Sequence, residues 1–250
     1  MNALSVQGLV KRFGGLTATD HLDLELRKGE IHAVIGPNGA GKTTLINQLS
    51  GELMPDEGTI CFGEIDVTTE PVNRRARMGI ARSYQITSVF MGFTALQNVM
   101  LAVQGASGRS LGFWRPVMRD AELVGPARRL LDRVGLEAAA DTPVSALAHG
   151  ARRQLEIAMT LALNPKVMLL DEPMAGMSQK ESEELVALLA QLRGEYSIVL
   201  VEHDMDAVFA LADRITVVVY GRPIACGLAE EIRSNQDVRI AYLGDQEETI

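Results

Sequence analysis

Apolar and acidic residues alternate through Leu22, Asp23, Leu24, Glu25 and Leu26, the period-two pattern of a strand with one buried face. Beyond the polar turn Arg27-Lys28-Gly29-Glu30, the apolar run Ile31-His32-Ala33-Val34-Ile35 reads as an inner strand. It leads directly into Gly36-Pro37-Asn38-Gly39-Ala40-Gly41-Lys42-Thr43-Thr44, after which Leu45, Ile46 and Leu49 predict a helix ending near Gly51. From Thr94 to about Leu163 the period becomes helical. Leu96, Val99, Met100 and Val103 share one apolar face, and Leu130, Leu131 and Val134 form another just before Gly135. Between them, residues 105–119 are rich in Gly and Ser around Trp114 and read as a surface loop or a flexible helix connection. The last third alternates. Val167 to Leu170 is a buried strand, helices follow from Gln179 and near Asp204, and Ser197 to Val201 and Ile215 to Tyr220 are further β runs. Strands alternating with helices of this length predict an α/β fold with a parallel sheet.

The 250 residues are enough for one large domain or two small lobes, and 47% hydrophobic with 22% charged residues excludes disorder as the main state. With 24 Lys and Arg against 32 Asp and Glu, the net charge of −8 argues against a surface built to grip nucleic acid. Cys61 and Cys226 have no metal-ligand spacing and form no disulfide framework, so both read as reduced thiols. No apolar window reaches about 18 residues, and the start MNALSVQGLVKRFGG lacks the apolar core of a signal peptide. The expectation is a cytoplasmic chain whose role at a membrane, if any, comes through a partner.

Candidate chemistry changes this picture. Gly36, Gly41, Lys42 and Thr43 satisfy G-x-x-x-x-G-K-[ST], with the strand before and the helix after that the motif demands. Small residues let the backbone N–H groups of Asn38, Gly39, Ala40, Gly41 and Thr44 approach phosphates, and the helix N-terminus faces the same anion. Lys42 is expected to reach the β- and γ-phosphates and the Thr43 hydroxyl to ligate Mg²⁺. Val167-Met168-Leu169-Leu170-Asp171-Glu172-Pro173 is an apolar strand ending in two acids. Beside a phosphate loop, Asp171 is placed to hold Mg²⁺, directly or through water, and Glu172 to act as general base on the attacking water. His203 also follows a strand, where it can hydrogen-bond a γ-phosphate. Taken alone, Gln85 reads as a surface glutamine, and Phe13 is equally open to a core position or a platform for adenine.

In this order, the phosphate loop, Gln85, a signature segment, Leu-Leu-Asp-Glu-Pro and His203 resemble the ATPase subunits of ABC transporters over nearly the whole chain. Lys11-Arg12-Phe13-Gly14-Gly15-Leu16, the Leu-Ala-x-Gly signature, Ala175-Gly176-Met177, Val201-Glu202-His203-Asp204-Met205 and the ending Ala241-Tyr242-Leu243-Gly244 are similar to the branched-chain amino acid importer group. The resemblance implies a single P-loop ABC ATPase domain over 1–250. Residues 1–85 and 164–250 would be the RecA-like core with an antiparallel β lobe, and 86–163 the helical subdomain. It implies ATP and Mg²⁺ as cofactors, Gln85 as a Mg²⁺ ligand that reports to the helical lobe, and Phe13 against adenine. It further implies a head-to-tail pairing in which each ATP lies between one subunit's phosphate loop and the other's signature, most simply a heterodimer with a second ABC ATPase. Two transmembrane permease subunits, indirectly an external solute-binding protein, and the cytoplasmic face of the inner membrane complete the expectation. Nucleic acid is not an expected partner. Urea-type importers and the lipopolysaccharide-export ATPase have similar endings. Relatives acting on DNA or ribosomes fit less well, because sustained heptads and a second cassette are absent. A kinase or GTPase would carry neither the signature nor His203.

Two departures stand out. The general signature Leu-Ser-Gly-Gly-Gln is here Leu147-Ala148-His149-Gly150-Ala151, so the Ser hydroxyl that would bond the partner's γ-phosphate is lost at Ala148. Gly150 and the helix N-terminus keep backbone donors, and His149 offers another. Ser178 stands where the family often has Asp, and Ser178 with Glu181 fits a helix capping box. Thr87 to Phe93, with Phe90 and Phe93 as anchors, are candidates for docking the membrane partner.

Overall fold

The computed structural model describes residues 2–83, 89–107 and 120–247, with side chains as far as residue 241. The expectations resting on Gln85, Thr87 and Trp114 lie outside the described residues.

Among the described residues the strands form two sheets. β1 (Asn2–Phe13), β2 (Leu16–Arg27), β4 (Glu57–Phe62) and β5 (Ile65–Asp66) make an antiparallel sheet in the order β2-β1-β4-β5. β3 (Ile31–Ile35), β6 (Ile80–Ser83), β7 (Val167–Asp171), β8 (Ser197–Val201) and β9 (Arg214–Val219) run parallel. With β10 (Arg222–Gly227) added antiparallel to β9, this second sheet has the order β10-β9-β3-β8-β7-β6.

The uninterrupted apolar runs explain the second sheet. β3, β7 and β8 are buried at every position, as strands covered on both faces must be. The residues of β7 and β8 alternate between two cores. Met168, Leu170, Ile198 and Leu200 face helices α3 (Ala95–Ala106), α4 (Ala121–Arg133), α5 (His149–Ala162) and α6 (Gln179–Leu192). Val167, Leu169, Val199 and Val201 face α1 (Lys42–Ser50) and the antiparallel sheet.

Local signals set the helix ends. α1 stops at Gly51 in the left-handed conformation, and α3 starts with a Thr94/Gln97 capping box. The remaining helices are α2 (Val72–Met78), α7 (Met205–Leu211), α8 (Ala229–Ser234) and α9 (Gln236–Glu247). Two details differ from the sequence pattern. α3 continues through Gly105 and Ala106, so those residues end a helix and do not open a loop. The turn before β3 is not wholly solvated: Glu30 is buried, accepting from Arg27 N–H and from Arg214 Nε at 2.6 Å. Among the described residues no helix is long and apolar enough to cross a membrane.

Candidate active site

Parallel strands end at one sheet edge, and their register sets what meets there. Asp171 pairs with Val201, Val34 with Val201, and Ser83 with Leu170. The residues just beyond, Gly36 after β3, Glu172 after β7, and Glu202 and His203 after β8, therefore share that edge.

The loop from Gly36 to Gly41 is held against backbone from behind. A Cβ on Gly36 would lie 2.0 Å from the Val218 carbonyl oxygen, and one on Gly41 2.0 Å from that of Ala18. Neither contact can relax, so both positions require glycine, and Gly41 also takes φ +101° where α1 begins. The β9–β10 turn fixes the loop from the other side, with Gly221 N–H donating to Ala40 O at 2.9 Å. Leu45 N–H is bonded to Gly41 O, so the amides of Lys42, Thr43 and Thr44 precede the first α-helical bond and face outward from the helix end.

The cleft in front of this loop measures about 310 Å³. Asn38, Gly39, Ala40, Gly41, Lys42, Thr43 and Thr44 line it, together with Phe13, Leu16 and Glu172. Phe13 is 49% exposed, an accessible flat face at the rim and not a core residue. Lys42 is buried, its ammonium donating to Gly36 O at 2.7 Å and Pro37 O at 2.9 Å. Burial lowers its pKa, opposed by the charges of Glu172 and Asp171. Asp171 is 2% exposed, and burial raises its pKa against the pull of Arg82. Its Oδ2 accepts from Arg82 at 3.0 Å, whereas its Oδ1 is buried with no hydrogen-bond partner. Arg82, which sequence reasoning did not single out, also donates to Asn47 and Glu52, both at 2.6 Å, and so ties α1 to β7.

His203 sits at the same edge but does not line the cleft, and its imidazole is 62% exposed. Ala148, His149 and Gly150 stand apart from the cleft, at the start of α5. Ala148 is the N-cap and supplies no side-chain bond. His149 Nε2 lies 3.2 Å from Ala175 O, and Gly150 N–H donates to Glu181 Oε1 at 2.8 Å. The two signature donors expected to face outward are thus engaged within the chain. Glu181 also receives Ser178 N–H and Oγ–H, and these bonds with that from Gly150 hold its carboxyl down at about 2. Ser178 and Glu181 form the capping box of α6 in full. Gln85 lies outside the described residues.

A family model described as "ABC transporter" matches residues 19–175, and one described as "Branched-chain amino acid ATP-binding cassette transporter" matches residues 222–248. The chain belongs to the ABC transporter ATP-binding family. Within that family it is 44% identical over 249 residues to a high-affinity branched-chain amino acid transport ATP-binding protein, LivG, of Salmonella typhimurium, covering 97% of this chain and 98% of that one. The corresponding Escherichia coli protein is 43% identical and BraF of Pseudomonas aeruginosa 38%, with the same coverage. The solved ADP conformation of an ATP-binding cassette of an ABC transporter superposes with TM-score 0.87 at 28% identity, covering 98% of this chain and 99% of that one. The chain is accordingly an ABC ATPase, built on the P-loop α/β fold that its sequence predicts.

Proposed function

We propose that this ABC ATPase is the ATP-binding and hydrolysing subunit of an importer for branched-chain amino acids. The observation that carries the reading is an intact phosphate loop beside an orphaned carboxylate oxygen, in a chain similar end to end to LivG. The amides of residues 42–44 and the Lys42 ammonium bind the phosphates, once Lys42 leaves the carbonyls of Gly36 and Pro37. Asp171 Oδ1 and the Thr43 hydroxyl fit Mg²⁺. Among the described residues no group of three or more His, Cys, Asp and Glu is gathered, which suits an ion that keeps mostly water and phosphate oxygens around it. When bound, Mg²⁺ neutralises charge on the β- and γ-phosphates. Glu172, facing the cleft, takes the proton of the attacking water. His203 would hydrogen-bond the γ-phosphate and Phe13 would stack on adenine, and Gln85, as the family pattern implies, would be a further Mg²⁺ ligand.

Ala148, His149 and Gly150 receive the nucleotide of a second, different ATPase subunit, once His149 leaves Ala175 O and Gly150 N–H leaves Glu181, so each site needs both chains. Residues 86–163 are read as the helical lobe, of which α3, α4 and α5 are described. Phe90 and Phe93, exposed and stacked with centroids 5.3 Å apart, dock one of two permease subunits and hold the chain at the cytoplasmic face of the membrane. An external solute-binding protein delivers the amino acid. Purification of the tagged chain from membranes tests this directly. The expected result is a complex with two permeases and a second ATPase, whose ATPase activity rises with a leucine- or valine-loaded binding protein. Recovery with export machinery, or no response to branched-chain amino acids, overturns it. Within that complex, Glu172→Gln is expected to bind ATP and hydrolyse it poorly.

A further inference from the structure

We infer that Glu202 is a positioning residue for Glu172, its buried carboxylate bridging the loops that follow β7 and β8. The inference rests on the reading of Glu172 as general base. Glu202 is 0% exposed, a rare location for a carboxylate, and the His203 ring beside it stays beyond hydrogen-bond distance, with Nδ1 3.9 Å from Oε2. Its partners are backbone amides on two different loops: Oε1 accepts from Met174 N–H at 2.8 Å, and Oε2 from His203 N–H at 3.2 Å. Both oxygens therefore act as acceptors, the role of the ionised form, although burial pushes the group's pKa upward.

The residue it serves is strained. Glu172 sits at φ +47°, in the left-handed region that a glutamate does not hold unaided. On its N-terminal side the backbone is pinned by its own N–H, which donates to Val201 O at 2.8 Å. On its C-terminal side Pro173 has no N–H to give, so Met174 supplies the first amide donor beyond the base. Met174 is buried, and that amide is met by Glu202. The strained residue is thus clamped on both sides from β8 and the residue that follows it. The same carboxylate accepts from the backbone of His203 and lies 3.9 Å from Nδ1 of its ring, which is 62% exposed. A residue that merely filled this space would carry no charge, because a buried carboxylate is costly unless its hydrogen bonds are needed.

The test uses the complex purified from membranes. Glu202→Gln keeps the volume but replaces one acceptor oxygen with an NH₂ that cannot receive an amide. The expected result is a kcat lower by about 10- to 100-fold, the scale of a slightly misplaced reacting group, with KM for ATP changed by less than about twofold. In a Glu172→Gln background, followed by single-turnover hydrolysis, Glu202→Gln is expected to add no further loss. An unchanged kcat, a KM that rises with kcat kept, or losses that multiply overturns the inference. If the Gln variant does not fold, Glu202→Asp, charged but one methylene short, is judged by the same readings. Normal turnover by Glu172→Gln alone would mean that the base reading has failed. An inactive Glu172→Gln beside a fully active Glu202→Gln would mean that only the role of Glu202 has failed.

Discussion

Replacing Ala148 with Ser is expected to stabilise the chain, and by an amount that depends on Glu181. Ala148 is the N-cap of α5, exposed, with φ −62° and ψ 163°, the extended geometry an N-cap serine adopts. A serine Oγ there can accept from the amide two or three residues on, Gly150 or Ala151. Gly150 N–H is already bonded to Glu181, so only Ala151 N–H is open to it. A serine N-cap is worth typically about 1 kcal/mol, within a range of about 0.5–2. With one first-turn donor already satisfied, the gain falls in the lower half, about 0.5–1 kcal/mol. For a chain of this size that is about 1–4 °C in Tm. In a Glu181→Ala background the hydroxyl has both amides to choose from, and the same substitution is expected to gain up to about 2 kcal/mol. Thermal and urea unfolding of the four proteins in this cycle measure the difference, and the loss of the α6 capping box in Glu181→Ala cancels out of it. Ala148→Ser with no stabilising effect in either background would refute the reasoning, and equal effects would refute the substitution of Glu181 for a cap. In the assembled complex the serine adds one donor to the partner's γ-phosphate, a charge-assisted bond worth about 1.5–3 kcal/mol. Turnover at the site completed on the partner nucleotide should then rise, and rise further with Ala151→Gln.

Lys42→Met is expected to raise the Kd for ATP at least about tenfold by removing the charge-assisted phosphate bonds, measured by calorimetric titration of the isolated chain; unchanged affinity would contradict the phosphate-loop assignment. His32 is buried, its Nδ1 beside Glu25 O and its Nε2 beside the Thr216 hydroxyl, and burial lowers its pKa to about 4 from 6.5. Because the unfolded chain then binds the extra proton first, stability present above pH 6.5 is lost as pH falls toward 4, by about 3 kcal/mol at about 1.36 kcal/mol per unit. Unfolding curves across that window should show the slope, and His32→Gln should flatten it. Arg75 is fully buried and its guanidinium donates to the carbonyls of Gln48, Leu49, Thr68 and Glu70, closing the C-terminal end of α1. Arg75→Ala leaves these acceptors unpaired and is expected to cost at least about 3 kcal/mol in urea unfolding; a loss below about 1 kcal/mol would contradict that role.

The parts of this molecule that were legible from its sequence are those whose cause is local. The Leu22, Leu24, Leu26 alternation is β2, the largely apolar runs are β3, β7 as far as Leu170, and β8, and the helix ends fall at Gly51, Thr94 and Ser178, where the capping residues stand. The phosphate loop is legible for the same reason: its glycines, its lysine and the flanking strand and helix all lie within one short stretch. What the sequence hid are acidic side chains whose partners lie on elements distant in the chain. Glu181 reaches Gly150 across 31 residues, Glu202 reaches Met174 across 28, and Asp171 reaches Arg82 across 89. Each of these acids has a bland local explanation as a capping residue, a strand terminus or a solvated helix face, and nothing within a few residues says that it turns inward. Burial marks out Asp171 and Glu202, because a carboxylate hidden from water must find donors, whereas Glu181 is only half-buried; for Glu181 and Glu202 the distant donors are backbone amides, which carry no residue identity to read. The site's chemistry is therefore written in side chains that a motif can list. Its geometry rests on carboxylate-to-amide bridges that no motif contains, and the left-handed Glu172 is where the two meet.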